Sequence, residues 1–433
     1  MLYLHMDFDT YFASAERTLD PLLKGRAVVI GNRGDTSIFA LENSRSLELK
    51  EHTGAFSSFQ LYDKFGSKES RNWKQYFVEN GRIRGMCVTC SYEARSRGLY
   101  TGISIAEALS IVPDVLVVPE HKSYYYDLSN AIAKYLHSQI PTLFQGSVDE
   151  FFGNTHGWIE DSEIESFAYE LQYQVLQRFD IPMSIGAGTT MTLAKMATSM
   201  CKPFGVSVVT KAYQHQFLSP IPIDKFPGIG RRMQKKLGSF MIKTLGDVLS
   251  HESLMMKHFG RAGKDIFWLV SGVRDVDPTI YYQKRKSIAI GRTMDALMNR
   301  DEVRRRIVVL ARNLSFTIYK LGINPTGYYF GIKYDIGGYN KVSFTERRVF
   351  SEKLLRELAL ATFEELDTIK HYGITFITLR CFNFANHKTT YNLLTYKEDR
   401  EASHLYKTLC EVRECFGIDY MKSGVELMDY LEG

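Results

Sequence analysis

Leu2-Tyr3-Leu4-His5-Met6-Asp7-Phe8-Asp9-Thr10-Tyr11-Phe12-Ala13-Ser14-Ala15-Glu16 opens the chain. Its first half reads as a β-strand, Leu2 to Phe8, running straight into a helix, Tyr11 to Leu22. Asp7 and Asp9 stand two apart at the strand end, so their side chains are placed to share a face. The same arrangement returns in Gly146-Ser147-Val148-Asp149-Glu150-Phe151-Phe152, an acidic pair at a hairpin between Leu143–Val148 and Phe151–Asn154. Two acidic clusters, each at the end of an apolar strand, can converge across neighbouring strands of one sheet. Converging carboxylates repel unless a cation bridges them, and hard oxygen donors select Mg2+ or Mn2+, which favour phosphate partners. Either pair by itself more often marks solvated strand-end acids.

Outward from these acids, strands and helices alternate. Strands are expected at Val28–Gly31, Met86–Thr89, Val115–Val118 and Met183–Gly186. Helices are expected through Ala94, after Gly102, over Tyr124–His137, up to Phe179 with Ser162 and Glu165 as a capping box, and over Thr192–Cys201. This alternation predicts a mixed sheet with helices on one side. Residues 32–84 interrupt it with a polar stretch rich in Ser, Glu, Lys and Phe. From Ile221 the texture changes to short helices and glycine turns, and from Lys286 a strand-helix-strand-strand-helix-strand pattern runs to Asn383. A last helix is expected at Ala402–Phe416.

Composition bounds the reading without deciding it. The 433 residues and 49.7 kDa imply two to four domains. With 45% apolar and 24% charged residues, and only 32 Gly and 11 Pro, long disordered tracts are excluded. A net charge of +5 is far from a polycation. The start lacks a basic, apolar leader, and no apolar run reaches the ~18 residues of a membrane span, so a cytoplasmic protein with no membrane partner is expected. The six cysteines hold a single Cys-x2-Cys pair, Cys87 and Cys90, with no second pair to complete a zinc site, and reduced thiols are expected.

Asp7 to Glu16 resembles the opening motif of the Y-family, or translesion, DNA polymerases, and Ser147-Val148-Asp149-Glu150 resembles their second catalytic motif. Tyr92-Glu93-Ala94-Arg95-Ser96-Arg97-Gly98 matches the family's fingers motif, followed in the family's order by Gly102-Ile103-Ser104, Ser184-Ile185-Gly186, Leu193-Ala194-Lys195 and Lys202-Pro203. Gly188 to Lys195 looks closest to the UmuC-like bacterial branch, from which Met191 departs where that branch usually carries lysine. The resemblance covers essentially the whole chain. It implies an α+β multidomain, right-hand polymerase: a ferredoxin-like palm with small fingers (1–220, fingers about 22–98, enlarged by 32–84), a helix-hairpin-helix thumb (221–280), an α/β little finger (281–395) and a C-terminal helical tail (396–433).

The implied chemistry is two-metal phosphoryl transfer. Asp7, Asp149 and Glu150, with the carbonyl of Phe8, would hold two Mg2+ ions, Mn2+ being the alternative. Tyr11, Thr89, Tyr92, Arg95 and Lys202 match nucleotide contacts, and Phe12 matches the ring that excludes a ribose 2′-hydroxyl. Asp9 matches a position that is not usually a ligand. On residue pattern alone, Phe12 reads as core and Tyr92 with Arg95 as a packed helix.

For DNA, Pro227-Gly228-Ile229-Gly230 reads as a hairpin whose backbone N–H groups grip a phosphate, with Arg231 just downstream. Residues 281–350, including Lys286, Arg292 and Arg347, carry a net +9, leaving −4 for the rest, although Arg304 to Arg306 read partly as a solvated helix face. The expected partners are primer-template DNA and deoxynucleoside triphosphates, with a sliding clamp or recombinase filament as accessory candidates. Gln234 to Phe240 reads as thumb helix rather than a clamp peptide. Competing readings are another two-metal nucleotidyl-transfer enzyme or nuclease, and a non-catalytic damage-response scaffold.

Overall fold

A computed structural model of the chain describes residues 2–34, 36–39, 73–79, 81–277, 285–385 and 392–430. Most of the enlarged segment 32–84 therefore lies outside the described residues. The chain divides into two compact units, one built mainly from residues 1–32 and 65–283, the other from 33–51 and 284–433.

The first unit is organised by a five-stranded sheet in which the opening strand, Tyr3–Phe8, is central. It pairs antiparallel with Glu150–Asn154 on one side and Met183–Gly188 on the other, and Thr142–Gln145 and Val206–Val209 form the edges. Period-2 alternation sorts the central strand. Leu4 and Met6 enter a buried core shared with helices Lys122–Gln139 and Ile164–Phe179, while His5 and Asp7 face the helix Met191–Cys201, so helices cover both faces and not the one side expected, because both faces of the central strand are buried. That helix lies unusually close. A Cβ on Gly186 would stand 2.3 Å from the Ala194 carbonyl oxygen and from the Thr198 nitrogen, so the approach requires glycine. The expected capping box at Ser162 is not formed: the helix begins at Ile164 with Glu163 as its N-cap, which makes no side-chain cap.

A three-stranded sheet of Val28–Asn32, Met86–Cys90 and Leu116–Pro119 carries its own small core with Phe77, Leu99, Ile105 and Val112. Short helices follow. Ile223–Lys225, Arg231–Gly238, Leu245–Ser250, Glu252–His258 and Gly260–Ser271 gather around Phe226, Leu237, Leu245 and Phe267. Thr244 and Asp247 form a reciprocal capping box there. All six cysteines are free, four of them buried.

The second unit is a four-stranded antiparallel sheet, ordered Ser287–Leu297, Ile374–Ala385, Asn324–Tyr334, Tyr339–Thr345. Helices Arg300–Lys320 and Glu352–Leu366 pack against it in one core, the strand-helix-strand-strand-helix-strand order expected from sequence. Two additions lie beyond that expectation. Ile38 and Phe39 are buried in this core, with Arg305 donating to the Phe39 carbonyl at 3.0 Å and Arg306 stacked over the Phe39 ring. Residues 396–430, expected as a tail, also share the core through Tyr406, Cys410 and Ile418. They are fastened by buried ion pairs. Arg312 meets Asp419 and Glu426, each at 3.0 Å, and Arg413 meets Glu352.

Arg304, Arg305 and Arg306 are not a simple solvated face. Arg305 is buried and pairs with Glu302, as does Arg306, and Arg304 joins Asp301 and Glu364. Truncating Arg312 to alanine would strand two buried carboxylates, a loss of about 3–5 kcal/mol. Denaturant titration of R312A should show the unit melting early by that amount, and a midpoint equal to wild type would refute the clasp.

Candidate active site

The strand register assembles the acids. Asp7 stands directly opposite Glu150 on one neighbour and Ser184 on the other. The Phe8 N–H donates to the Asp149 carbonyl at 3.0 Å, which ties the acidic hairpin to the strand end, and the Phe8 ring is buried against Tyr11 and Phe151. Thr10, with φ 43°, turns the chain sharply from strand into helix Tyr11–Leu19.

Two lysines from the close-packed helix and the loop after it meet these acids. Lys195 Nζ donates to both oxygens of Glu150, at 2.6 and 2.8 Å, and Lys202 Nζ binds Asp7 Oδ1. Asp149 accepts from the Ser147 hydroxyl beside it. Burial pushes the Asp7 carboxyl up to about 7 against the pull of Lys202, with Asp149 and Glu150 adding to the rise. Burial also raises Asp149, although the Ser147 hydrogen bond opposes it. Crowded, half-buried carboxylates of this kind call for cations, and their hard oxygen donors fit a divalent ion of the Mg2+ class.

Asp9, adjacent in sequence, does different work. It is 1% exposed and accepts from the Ser184 hydroxyl at 2.9 Å, the Phe204 N–H at 2.7 Å and the Tyr92 hydroxyl at 3.2 Å. One carboxylate thereby fixes the strand Met183–Gly188, the loop that carries Lys202, and the helix Tyr92–Ser96. Sequence reading left Asp9 out of the metal set, and the geometry gives it this anchoring role instead.

The candidate nucleotide contacts sit around this hub. Arg95 is exposed, donates Nε to the Cys90 carbonyl at 3.2 Å and lies over the Tyr92 ring. Thr89 is partly exposed on the strand Met86–Cys90. The Tyr11 hydroxyl binds the Tyr125 carbonyl, leaving its N–H in a first helical turn, where donors lack intrahelical partners. Phe12 is partly exposed and stacks on Tyr125 at 4.7 Å and 10°, and Tyr125 is itself held by Glu16 at 2.6 Å. Sequence reading named Phe12 but missed the ring beneath it.

His5 was also missed, although its place two residues before Asp7 on a strand puts it on the same face. Its ring lies against Phe152, and burial, reinforced by Lys195 and Lys202, holds its pKa well below the ordinary histidine value.

Further along the first unit, Gly228 takes φ 94° in an exposed turn, with Gly230 at the N-cap of Arg231–Gly238, so Arg231 and the turn's backbone face solvent. In the second unit Lys286 and Arg347 are exposed. Arg292 differs: its register partner is Ile377, on the helix-covered side, and its guanidinium turns to the Gly291 carbonyl. The open side instead carries Arg380, Tyr329, Lys333, Lys341 and Tyr339, positions the sequence reading did not separate from the rest. Alternation within each strand was the available signal.

Residues 67–199 match the impB/mucB/samB family and residues 211–240 the HHH motif of the IMS family. "DNA polymerase IV 1" of Halalkalibacterium halodurans is 24% identical over 437 residues, covering 98% of this chain and 92% of that protein. DNA polymerase IV of Mannheimia succiniciproducens is 28% identical over 231 residues, 53% of this chain and 64% of that one. Among solved structures, the "Y-family DNA polymerase chimera Dbh-Dpo4(243-245)-Dbh" aligns with a TM-score of 0.68 at 20% identity, over 89% of this chain and 99% of its own. The "Insertion ternary complex of Dbh DNA polymerase" aligns at 0.51 and 20%, with the same coverage.

If Asp9 is the anchor described, Ser184→Ala removes a buried donor to a carboxylate and should cost about 1.5–3 kcal/mol in a denaturant titration. An unchanged midpoint would mean the hydroxyl carries no weight. Two family-model matches in chain order, relatives similar over nearly the full length and a shared fold make this chain similar to the Y-family DNA polymerases.

Proposed function

We propose that the chain is a template-directed DNA polymerase of the translesion type, adding deoxynucleotides to a primer 3′-end with low fidelity during DNA-damage bypass. The observation that carries this reading is the convergence of Asp7, Asp149 and Glu150 at one sheet end with Lys195 and Lys202 standing against them. An all-oxygen acid set with cationic neighbours serves phosphoryl transfer, where catalysis is chiefly positioning and charge stabilisation.

Asp7, Asp149, Glu150 and the Phe8 carbonyl would hold two divalent ions, Mg2+ or Mn2+. Such ions polarise the transferred phosphoryl group and stabilise the attacking and leaving oxygens. The chain's own residues do the rest. Lys202 leaves Asp7 to meet a phosphate, Arg95 offers a planar fork to another, and Asp9 keeps Lys202 and Tyr92 in place. Phe12, backed by Tyr125, closes the space a 2′-hydroxyl would need.

DNA would be held without reading sequence, by the backbone of Gly228 and Gly230, by Arg231, and by Lys286, Arg347 and the open sheet side of the second unit. The ternary complex among the structural relatives supports DNA and nucleotide as partners. Recruitment by a sliding clamp or a recombinase filament, and work on nucleoid DNA in the cytoplasm, belong to the same reading. No helix among the described residues is long and apolar enough to cross a membrane.

Primer extension with Mg2+ on intact and abasic templates is the test. Wild type should extend both, and Asp149→Ala should lose at least about a hundredfold in rate, as removal of a charge-stabilising group does. No extension by wild type, or equal extension by the variant, would sink the reading. Phe12→Ala should retain deoxynucleotide insertion and gain ribonucleotide insertion, and an unchanged sugar preference would remove Phe12 from that role.

A further inference from the structure

His5 is 1% exposed, and its two ring nitrogens are treated differently by the fold. Nδ1 lies 2.9 Å from Thr198 Oγ1. That hydroxyl has its own acceptors, the His5 and Ala194 carbonyl oxygens, each at 3.0 Å. With that proton on either carbonyl, the oxygen accepts from His5 and Nδ1 carries the ring proton. Nε2 is then left with an outward lone pair. It is buried and has no hydrogen-bond partner among the described residues.

A buried acceptor with no partner is costly, and such atoms call for an explanation. One stands close by. A ring nitrogen of His5 and one carboxylate oxygen each of Asp7 and Glu150 lie within 4.8 Å of one another. A histidine that donates one nitrogen to a fixed neighbour and keeps the other lone pair free is prepared as metal ligands usually are. Here the neighbour is Thr198, brought into reach by the close helix approach over Gly186.

We propose that His5, Asp7 and Glu150 form a mixed nitrogen-and-oxygen site for a borderline divalent transition-metal ion, with Mn2+ as its representative. Mg2+ has little use for an imidazole, whereas the ions from Mn2+ to Zn2+ accept one readily. The site shares two carboxylates with the polymerase reading but does not depend on it. An incoming ion takes the place of the Lys195 and Lys202 ammonium groups on the same oxygens. The acids therefore serve either an oxygen-only set or, through His5, a set that discriminates between divalent ions.

The test uses the full-length protein without DNA or nucleotide, loaded with Mn2+ and examined by pulsed electron paramagnetic resonance. Wild type should show histidine-nitrogen coupling to bound Mn2+, shifted by 15N-histidine labelling. Asp7→Asn should abolish it. His5→Phe, which keeps a ring against Phe152, should lose the coupling and bind Mn2+ at least about tenfold more weakly, with Mg2+ affinity nearly unchanged. Thr198→Val should weaken Mn2+ by roughly tenfold as well, because it frees the ring to turn. Absence of nitrogen coupling in wild type overturns the proposal even if His5→Phe fails to fold. Coupling that survives in His5→Phe, or equal Mn2+ affinity in the two proteins, overturns it too. Because no primer is extended in these measurements, their outcome is separate from that of the polymerase assay.

Discussion

The close seating of helix Met191–Cys201 on the sheet is the constraint from which the site follows. Only a side-chain-free position at Gly186 lets the helix backbone come so near. From that distance Thr198 reaches His5, Lys195 reaches Glu150, and the loop after the helix brings Lys202 to Asp7 and the Phe204 N–H to Asp9. A single added methyl group would push all of these contacts outward together. The acids are placed by strand register, and their partners by the depth at which one helix lies.

Much of this was legible in the chain because it rests on short-range rules. The opening strand, the acidic hairpin and the helix after Thr190 follow from alternation and capping, and the order of elements in the second unit follows from periodicity. What escaped were consequences of contact at a distance. Nothing local in Tyr125 announces that it will lie under Phe12, and nothing in Asp9 announces three donors from separate segments. The expected box at Ser162 shows the reverse error: a valid local signal lost because the helix starts later, at Ile164.

The second unit shows how charge in a sequence differs from charge on a surface. Ile38, Phe39 and residues 396–430 joined its core through contacts that no window of sequence contains, and the C-terminal segment brought acids with it. Asp419 and Glu426 take Arg312, Asp399 takes Arg348 at 2.6 Å, and Glu414 takes Lys320 at 2.7 Å. Asp367, from the loop after Glu352–Leu366, takes Arg300. Basic residues that looked like a phosphate-gripping surface are in large part internal fasteners.

That internal pairing bears on how the unit would respond to salt. A cation already held by a carboxylate releases fewer counterions when a phosphate approaches, and within 281–350 Lys286, Lys333, Lys341 and Arg347 have no acidic partner among the described residues. With each neutralised phosphate contributing about 0.9 to the logarithmic slope, a duplex on this unit would show a dependence below the roughly 8 implied by the net charge of 281–350.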